Sequence, residues 1–216
     1  MSWDEEKRLA GEAASELVEN GMRVGLGTGS TVSYLLQAIA RRRPKAVFVA
    51  SSPRTEYAAR ALGIAIEDFE NFDQLDLAID GADQISPEGW LVKGGGGAHT
   101  REKIVAAAAR RFVVIADSSK LVDALRAPIP IEIQKFGVSA TLRQLAPTVL
   151  REGETSPDGG LLGDYLGPIG DYEVLAQRLS ATPGVVAHGL FSPSLVSDIV
   201  ACTGRTVVRT IPGGTR

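Results

Sequence analysis

Met22-Arg23-Val24-Gly25-Leu26-Gly27-Thr28-Gly29-Ser30-Thr31 passes from a short apolar strand, residues 22–26, through a tight glycine turn to hydroxyl residues suited to cap a helix. The helical pattern continues to about Arg42, which makes this stretch a strand, a glycine loop and a helix in succession. Upstream, Ser2 and Glu5 form a capping-box pattern. Leu9, Ala13 and Leu17, with Ala10, Ala14 and Val18, then recur at helical spacing until Asn20-Gly21 supplies a stop.

Downstream the alternation repeats. Residues 46–50 read as a buried strand, Pro53 opens a helix ended by Gly63, and residues 64–66 and 75–79 read as further strands. The last of these runs into Asp80-Gly81-Ala82-Asp83. After Lys93-Gly94-Gly95-Gly96-Gly97 come a helix over about 100–110, the strand Phe112-Val113-Val114-Ile115-Ala116 and the turn Asp117-Ser118-Ser119-Lys120. Strands alternating with helices predict an α/β fold with a mostly parallel sheet covered on both faces. From Pro128 the texture changes: residues 129–133 alternate like a strand, a helix fits 139–145, and short glycine-rich strands fall around 161–166. A helix near 171–179 then leads into a strand-like run from Gly184 to Phe191. This predicts a smaller α+β module of the strand-helix-strand-strand-helix-strand kind. The expected division is residues 1–126, with 203–216 returning through a strand at 206–210, and residues 127–202 for the module.

Composition bounds the function. The 216 residues, 44% hydrophobic and 23% charged, suffice for a sizeable core, and no apolar run approaches a membrane span. With 23 basic against 26 acidic residues the net charge is -3, so the basic excess of a nucleic-acid-binding domain is missing. The acidic, polar start Met1-Ser2-Trp3-Asp4-Glu5-Glu6 lacks the pattern of a secretory signal, and a cytoplasmic location is expected. One cysteine, Cys202, and two histidines, His99 and His188, exclude an internal disulfide and a structural zinc cluster. Cys202 lies in an apolar run and is read as a buried, inert thiol.

Three segments that follow strands carry the chemistry, because open parallel sheets bind ligands beyond their strand carboxyl ends. Residues 25–31 offer backbone N–H groups and hydroxyls at a helix N-terminus, where an anion is stabilised. Their glycines at 25, 27 and 29 miss the G-x-G-x-x-G spacing, which opposes a nicotinamide dinucleotide, and nothing fits a Walker A loop. Asp80 and Asp83 offer acid-base groups or ligands for a hard cation. Lys93 and the following glycines offer a cation and amides beside Glu102. Taken singly each has a plain reading as a turn or a solvated charge; their joint placement at strand ends favours a site.

Together these three segments, followed by Ala116-Asp117-Ser118-Ser119-Lys120 and Pro183-Gly184-Val185-Val186-Ala187-His188-Gly189-Leu190-Phe191, resemble type A ribose-5-phosphate isomerases over nearly the whole chain. The resemblance implies a doubly wound Rossmann-like domain with a ferredoxin-like second domain. It also implies cofactor-free interconversion of ribose 5-phosphate and ribulose 5-phosphate in the non-oxidative pentose phosphate pathway, by a homodimer or homotetramer. On it, Glu102 matches the base that moves a proton through a cis-enediolate, and Lys93 with Gly94, Gly95 and Gly96 matches the groups that stabilise the oxyanion. Asp80 matches the carboxylate for ring opening, with Asp83 orienting hydroxyls beside Gly81 and Ala82. Thr28, Gly29, Ser30, Thr31 and Lys120 match substrate contacts, and Lys7 would add a charge toward the phosphate. His99 is read as a satisfied structural histidine. Gln134-Lys135 and the stretch Asp158-Gly159-Gly160 depart from the family's usual pattern. A phosphosugar sensor without catalysis, a nicotinamide-dependent oxidoreductase and a metal-assisted isomerase are the competing readings.

Overall fold

The structure, a computed structural model, describes residues 2–212. It opens with α1 (Trp3–Ser15), capped as predicted by Ser2, whose side chain accepts from the Glu5 N–H. Then follow β1 (Arg23–Leu26), α2 (Ser30–Arg42), β2 (Val47–Ala50), α3 (Pro53–Ala61) and β3 (Leu77–Gly81). Two short strands, β4 (Gln84–Ile85) and β5 (Leu91–Val92), precede α4 (His99–Ala108) and β6 (Phe112–Asp117). The second half holds β7 (Ile129–Ile133), α5 (Val138–Gln144), β8 (Thr148–Thr155), β9 (Leu161–Tyr165), α6 (Tyr172–Ala181) and β10 (Val185–His188). Strands β11 (Leu190–Phe191), β12 (Asp198–Thr203) and β13 (Thr206–Thr210) complete the described chain.

The main sheet has the order β13-β12-β6-β3-β1-β2, parallel except for the antiparallel edge strand β13. Alternate residues feed opposite cores, as the period of a strand requires. Val24, Leu26, Leu77, Ile79, Val113 and Ile115 face a core shared with Leu35, Leu36 and Ile39 of α2. Ala78, Phe112, Val114 and Ala116 face the opposite core with Val105 and Ala106 of α4. Every residue of β6 is therefore buried. The fold is α/β and doubly wound, as the alternation predicted. The chain turns from β1 to β2 on one side and to β3 on the other, which opens a crevice beyond the carboxyl ends of β1 and β3.

A second, antiparallel sheet has the order β10-β7-β9-β8, the ferredoxin-like arrangement expected for the smaller module. Its apolar face, with Ile129, Ile131, Ile133 and Tyr165, packs on Leu175 and Leu179 of α6. A third sheet, β11-β5-β4, ties the two halves together.

The structure corrects three readings. Residues 64–66 form no strand; Ile66 makes one isolated bridge to Phe48, because the chain reaches the sheet edge for a single residue. Strand β8, for which no range was expected, pairs with β9. Strand β12 pairs along its length with β6, so residues 198–202 lie in the main sheet, not in the smaller module. Our proposal for the domain division follows sheet membership, with the small module closing before Asp198. Among the described residues no helix is long and apolar enough to cross a membrane.

Candidate active site

A cavity of about 290 Å³ opens at the switch point of the main sheet. Thr28, Gly29, Ser30 and Thr31 form one wall, and Gly81, Ala82 and Asp83 the floor. Lys93, Gly94, Gly95, Gly96 and Glu102 close the opposite wall, and Lys120 stands at the rim. The segments singled out in the sequence thus converge because each leaves a parallel strand, or a strand beside it, at the same end.

Asp80, the penultimate residue of β3, is buried. Its Oδ1 accepts from the N–H groups of Thr28 at 2.9 Å and Gly81 at 2.7 Å. Its Oδ2 lies 2.8 Å from Lys93 Nζ. Gly27 makes this possible: a Cβ there would stand 1.9 Å from the Asp80 carboxyl, so only glycine lets the loop close over it. Lys93 Nζ also donates to the Gly81 carbonyl at 2.6 Å and lies 3.2 Å from Glu102 Oε2. Lys93 and Glu102 are 2% and 5% exposed, so their charges interact with little screening by water.

Glu102 sits in the first turn of α4, where the helix N-terminus favours a carboxylate. Burial nevertheless pushes its carboxyl up to about 7, against the pull of the Lys93 ammonium, and the charges of Asp80 and Asp83 add to the rise. Asp80 is raised as well, by burial. Burial alone would lower Lys93, but Asp80 and Glu102 outweigh it and hold the ammonium firmly protonated. The result is a permanent cation beside a carboxylate that exchanges its proton near neutrality. Asp83 Oδ2 accepts from the Gly95 N–H at 2.8 Å, which pins the glycine loop across the floor.

At the other end Gly29 ends the loop with φ 136°, a backbone conformation that favours glycine, and α2 begins with no side-chain cap. Its first N–H groups face the cavity wall unclaimed by a capping side chain. Thr28 Oγ1 is held by Ser52 Oγ at 2.7 Å, while Thr55 Oγ1 donates to the Gly27 carbonyl at 2.7 Å. The loop is therefore braced by α3. Lys120 is carried by the one-turn helix Ser118–Lys120, itself anchored to Glu6 of α1, which accepts from the Ser118 N–H at 2.8 Å and the Ser118 hydroxyl at 2.6 Å.

Two expected residues are placed differently. Lys7 does not line the cavity; its ammonium pairs with Asp4 at 3.3 Å on the same helix face. Asp80 does not line it either, since Lys93 stands in front. Sequence reasoning missed Arg54, an exposed cation on the cavity rim in the first turn of α3. The same rule that selected residues 28–31 applied to Ser51-Ser52-Pro53-Arg54, a strand end feeding a helix, and would have found it. His99 is fully buried behind the loop, yet neither ring nitrogen has a hydrogen-bond partner among the described residues, so it is not the satisfied histidine expected. Cys202 is buried and its thiol is raised by burial, in keeping with an inert role. Among the described residues no three His, Cys, Asp or Glu side chains converge as a metal site requires.

Residues 47–205 match the family model described as ribose 5-phosphate isomerase A (phosphoriboisomerase A). The chain belongs to that family. The ribose-5-phosphate isomerase A of Caulobacter vibrioides is 45% identical over 98% of this chain and 100% of its own. The crystal structure of ribose 5-phosphate isomerase A from Neisseria gonorrhoeae superposes with a TM-score of 0.94 at 31% identity, covering 99% of both chains. A D-ribose-5-phosphate isomerase in complex with phospho-erythronic acid superposes with a TM-score of 0.92 at 30% identity, covering 98% of this chain and 100% of that one. As a member of the family the chain is an enzyme, an isomerase.

Proposed function

We infer that the chain interconverts D-ribose 5-phosphate and D-ribulose 5-phosphate through a cis-enediolate, as a step of the non-oxidative pentose phosphate pathway. The observation that carries this reading is the buried Glu102–Lys93–Asp80 array, with a carboxyl at about 7 beside a fixed ammonium. Moving a proton between adjacent carbons needs one group that accepts it from the first and returns it to the second. Among the described residues Glu102 Oε2 accepts no hydrogen bond and meets only the Lys93 ammonium at 3.2 Å, whereas Asp80 is also tied down by two backbone N–H groups, so Glu102 is free to do both. Charge that develops on the sugar oxygen is met by Lys93 and the amides of the glycine loop, which stabilise the transition state more than the neutral sugar.

The geometry divides the two aspartates. Both oxygens of Asp80 are engaged and it stands behind Lys93, so it acts on the sugar through that ammonium. Asp83 faces the cavity itself and is the carboxylate within reach of the ring oxygen and hydroxyls. The phosphate belongs at the opposite wall, where the N-terminus of α2, the hydroxyls of Ser30 and Thr31, and the cations Arg54 and Lys120 surround one end of the cavity. The bound phospho-erythronic acid of the related isomerase, an acid carrying a phosphate, supports an anion at each end.

The test is NMR of the protein with ribose 5-phosphate in heavy water under strong chelation, with Glu102→Gln in parallel. Ketose carrying solvent deuterium beside the carbonyl, lost by roughly a hundredfold or more in the variant, is the expected result. Saturable binding without turnover would move the reading to a sensor, and a fully active variant would remove Glu102 as the base.

A further inference from the structure

Arg151 lies on β8, outside the cavity lining, and the chemistry above gives it nothing to do. Its side chain is 15% exposed. Nε and Nη2 form a forked bond to Asp164 on β9, at 2.9 and 2.7 Å. Nη1 reaches away from this sheet and donates to the carbonyls of Gly94 at 3.1 Å and Gly95 at 3.3 Å. A single guanidinium therefore joins the small sheet to the loop that follows Lys93.

That loop needs an outside support. Four successive glycines have no side chains to select a conformation, and glycine loses more freedom on ordering than any other residue. Apolar neighbours limit where the loop can lie: Pro130 packs on Gly94, and Leu162 on Gly97. They do not fix which way each peptide plane faces. A turn bond from the Gly97 N–H to the Gly94 carbonyl, at 3.0 Å, holds the first plane; the carbonyl bonds from Arg151 reinforce it and hold the Gly95–Gly96 plane, because the C=O and N–H of a peptide point in opposite directions. With the Gly94 and Gly95 carbonyls turned to Arg151, the N–H groups of Gly95 and Gly96 are turned away from it. The Gly95 N–H meets Asp83 Oδ2 at 2.8 Å. The Gly96 N–H has no acceptor among the described residues, and Gly96 lines the cavity.

We propose that Arg151, braced by Asp164, is a positioning residue that sets the Gly95–Gly96 peptide plane of the glycine loop so that the Gly96 amide faces the oxyanion of the enediolate. A guanidinium on the carbonyl side also polarises the amides it holds and strengthens their N–H groups as donors. Because these donors matter most where negative charge develops, their loss falls on turnover and not on capture of the sugar. The proposal rests on the enediolate reading of the site.

The experiment compares wild type, Arg151→Met, Arg151→Lys and Glu102→Gln in steady-state kinetics with ribose 5-phosphate. Each protein is also titrated with phospho-erythronic acid, whose carboxylate presents a planar anion to the loop, and its melting temperature is recorded. Lysine keeps the charge but cannot fork to Asp164 while holding two carbonyls. Both Arg151 variants are expected to lose about tenfold or more in kcat with KM changed less than about threefold, and to bind phospho-erythronic acid more weakly by a similar factor. Full turnover in Arg151→Lys would overturn the proposal, since charge alone would then suffice. So would a raised KM and lowered melting temperature at unchanged kcat, which would make Arg151 a brace of the fold. If Arg151→Met does not fold, Arg151→Lys carries the test, and its failing to fold as well would also count against a positioning role. Glu102→Gln separates the two readings: an active Glu102→Gln removes the enediolate base, whereas an inactive one beside fully active Arg151 variants removes this proposal alone.

Discussion

Glu102 is held between two opposing influences, and in the role proposed for it their balance sets when it can accept a proton. Burial and the nearby Asp80 and Asp83 charges push its carboxyl up to about 7, while Lys93 pulls it down. A base must be ionised to accept a proton, so lowering the pH through this range removes the active form. We expect kcat/KM for ribose 5-phosphate to fall about tenfold per pH unit below about 7, in a limb that belongs to the coupled Glu102, Asp80 and Lys93 array. A rate that stays flat down to pH 5 would show that a carboxylate with an ordinary pKa does the work. At this scale the convergence of Asp80, Asp83, Lys93 and Glu102 was readable, because the first three stand at or just past strand ends and Glu102 in the first turn of the helix that follows. The division of labour between Asp80 and Asp83 was not readable, since it depends on which of them stands behind the Lys93 ammonium in three dimensions.

Strand ends and helix starts build the end of the cavity proposed to hold the phosphate, and their support comes from elements distant in sequence. Lys120 rides on a one-turn helix whose first residue is bonded to Glu6 of α1, so its place at the rim is set independently of the catalytic array. Lys120→Ala is therefore expected to raise KM for ribose 5-phosphate about tenfold, the loss of one charge-assisted contact, with kcat changed much less. A lowered kcat at unchanged KM would place Lys120 in the chemistry instead. The elements legible in the sequence are those whose pattern is strong on its own: β6 is apolar throughout because both faces are covered, and the β1–α2 turn is marked by its glycines. Strand β8 escaped because it is largely solvated, with Glu152, Gly153 and Glu154 breaking any alternation, and it is a strand by virtue of its pairing with β9. Strand β12 was visible as an apolar run, but its partner β6 lies far back in the chain and no local pattern names it.

Seen across the molecule, the small sheet supports the active-site wall, and the cost of that arrangement is a seam of buried polar groups. Lys103 of α4 donates to the carbonyls of His188 at 2.7 Å and Leu190 at 2.9 Å, stacked over the Phe191 ring, while Gly189 accepts from the Lys93 N–H at 2.8 Å. The corner between β10 and β11 thus grips both α4 and the start of the glycine loop. His188, next in the seam, donates or accepts with Ser180 Oγ at 3.0 Å and accepts at Nδ1 from the Leu190 N–H. Burial, with the nearby Lys103 charge, lowers it to about 3. A histidine kept neutral in the fold but free to protonate when unfolded gives the unfolded chain more bound protons below its ordinary pKa. Its contribution to stability is present above about 6.5 and is lost as the pH falls toward 3. Glu102 and Asp80 work in the opposite sense, since a carboxyl raised in the fold takes up protons there first, so the acid response of the wild type is a difference between the two. His188→Gln isolates one side of it. Between pH 7 and pH 5 the wild type should lose roughly 2 kcal/mol more unfolding free energy than the variant, read from urea midpoints at each pH. Equal losses in the two proteins would mean that His188 protonates in the folded seam without penalty, and that the corner opens enough to let water in.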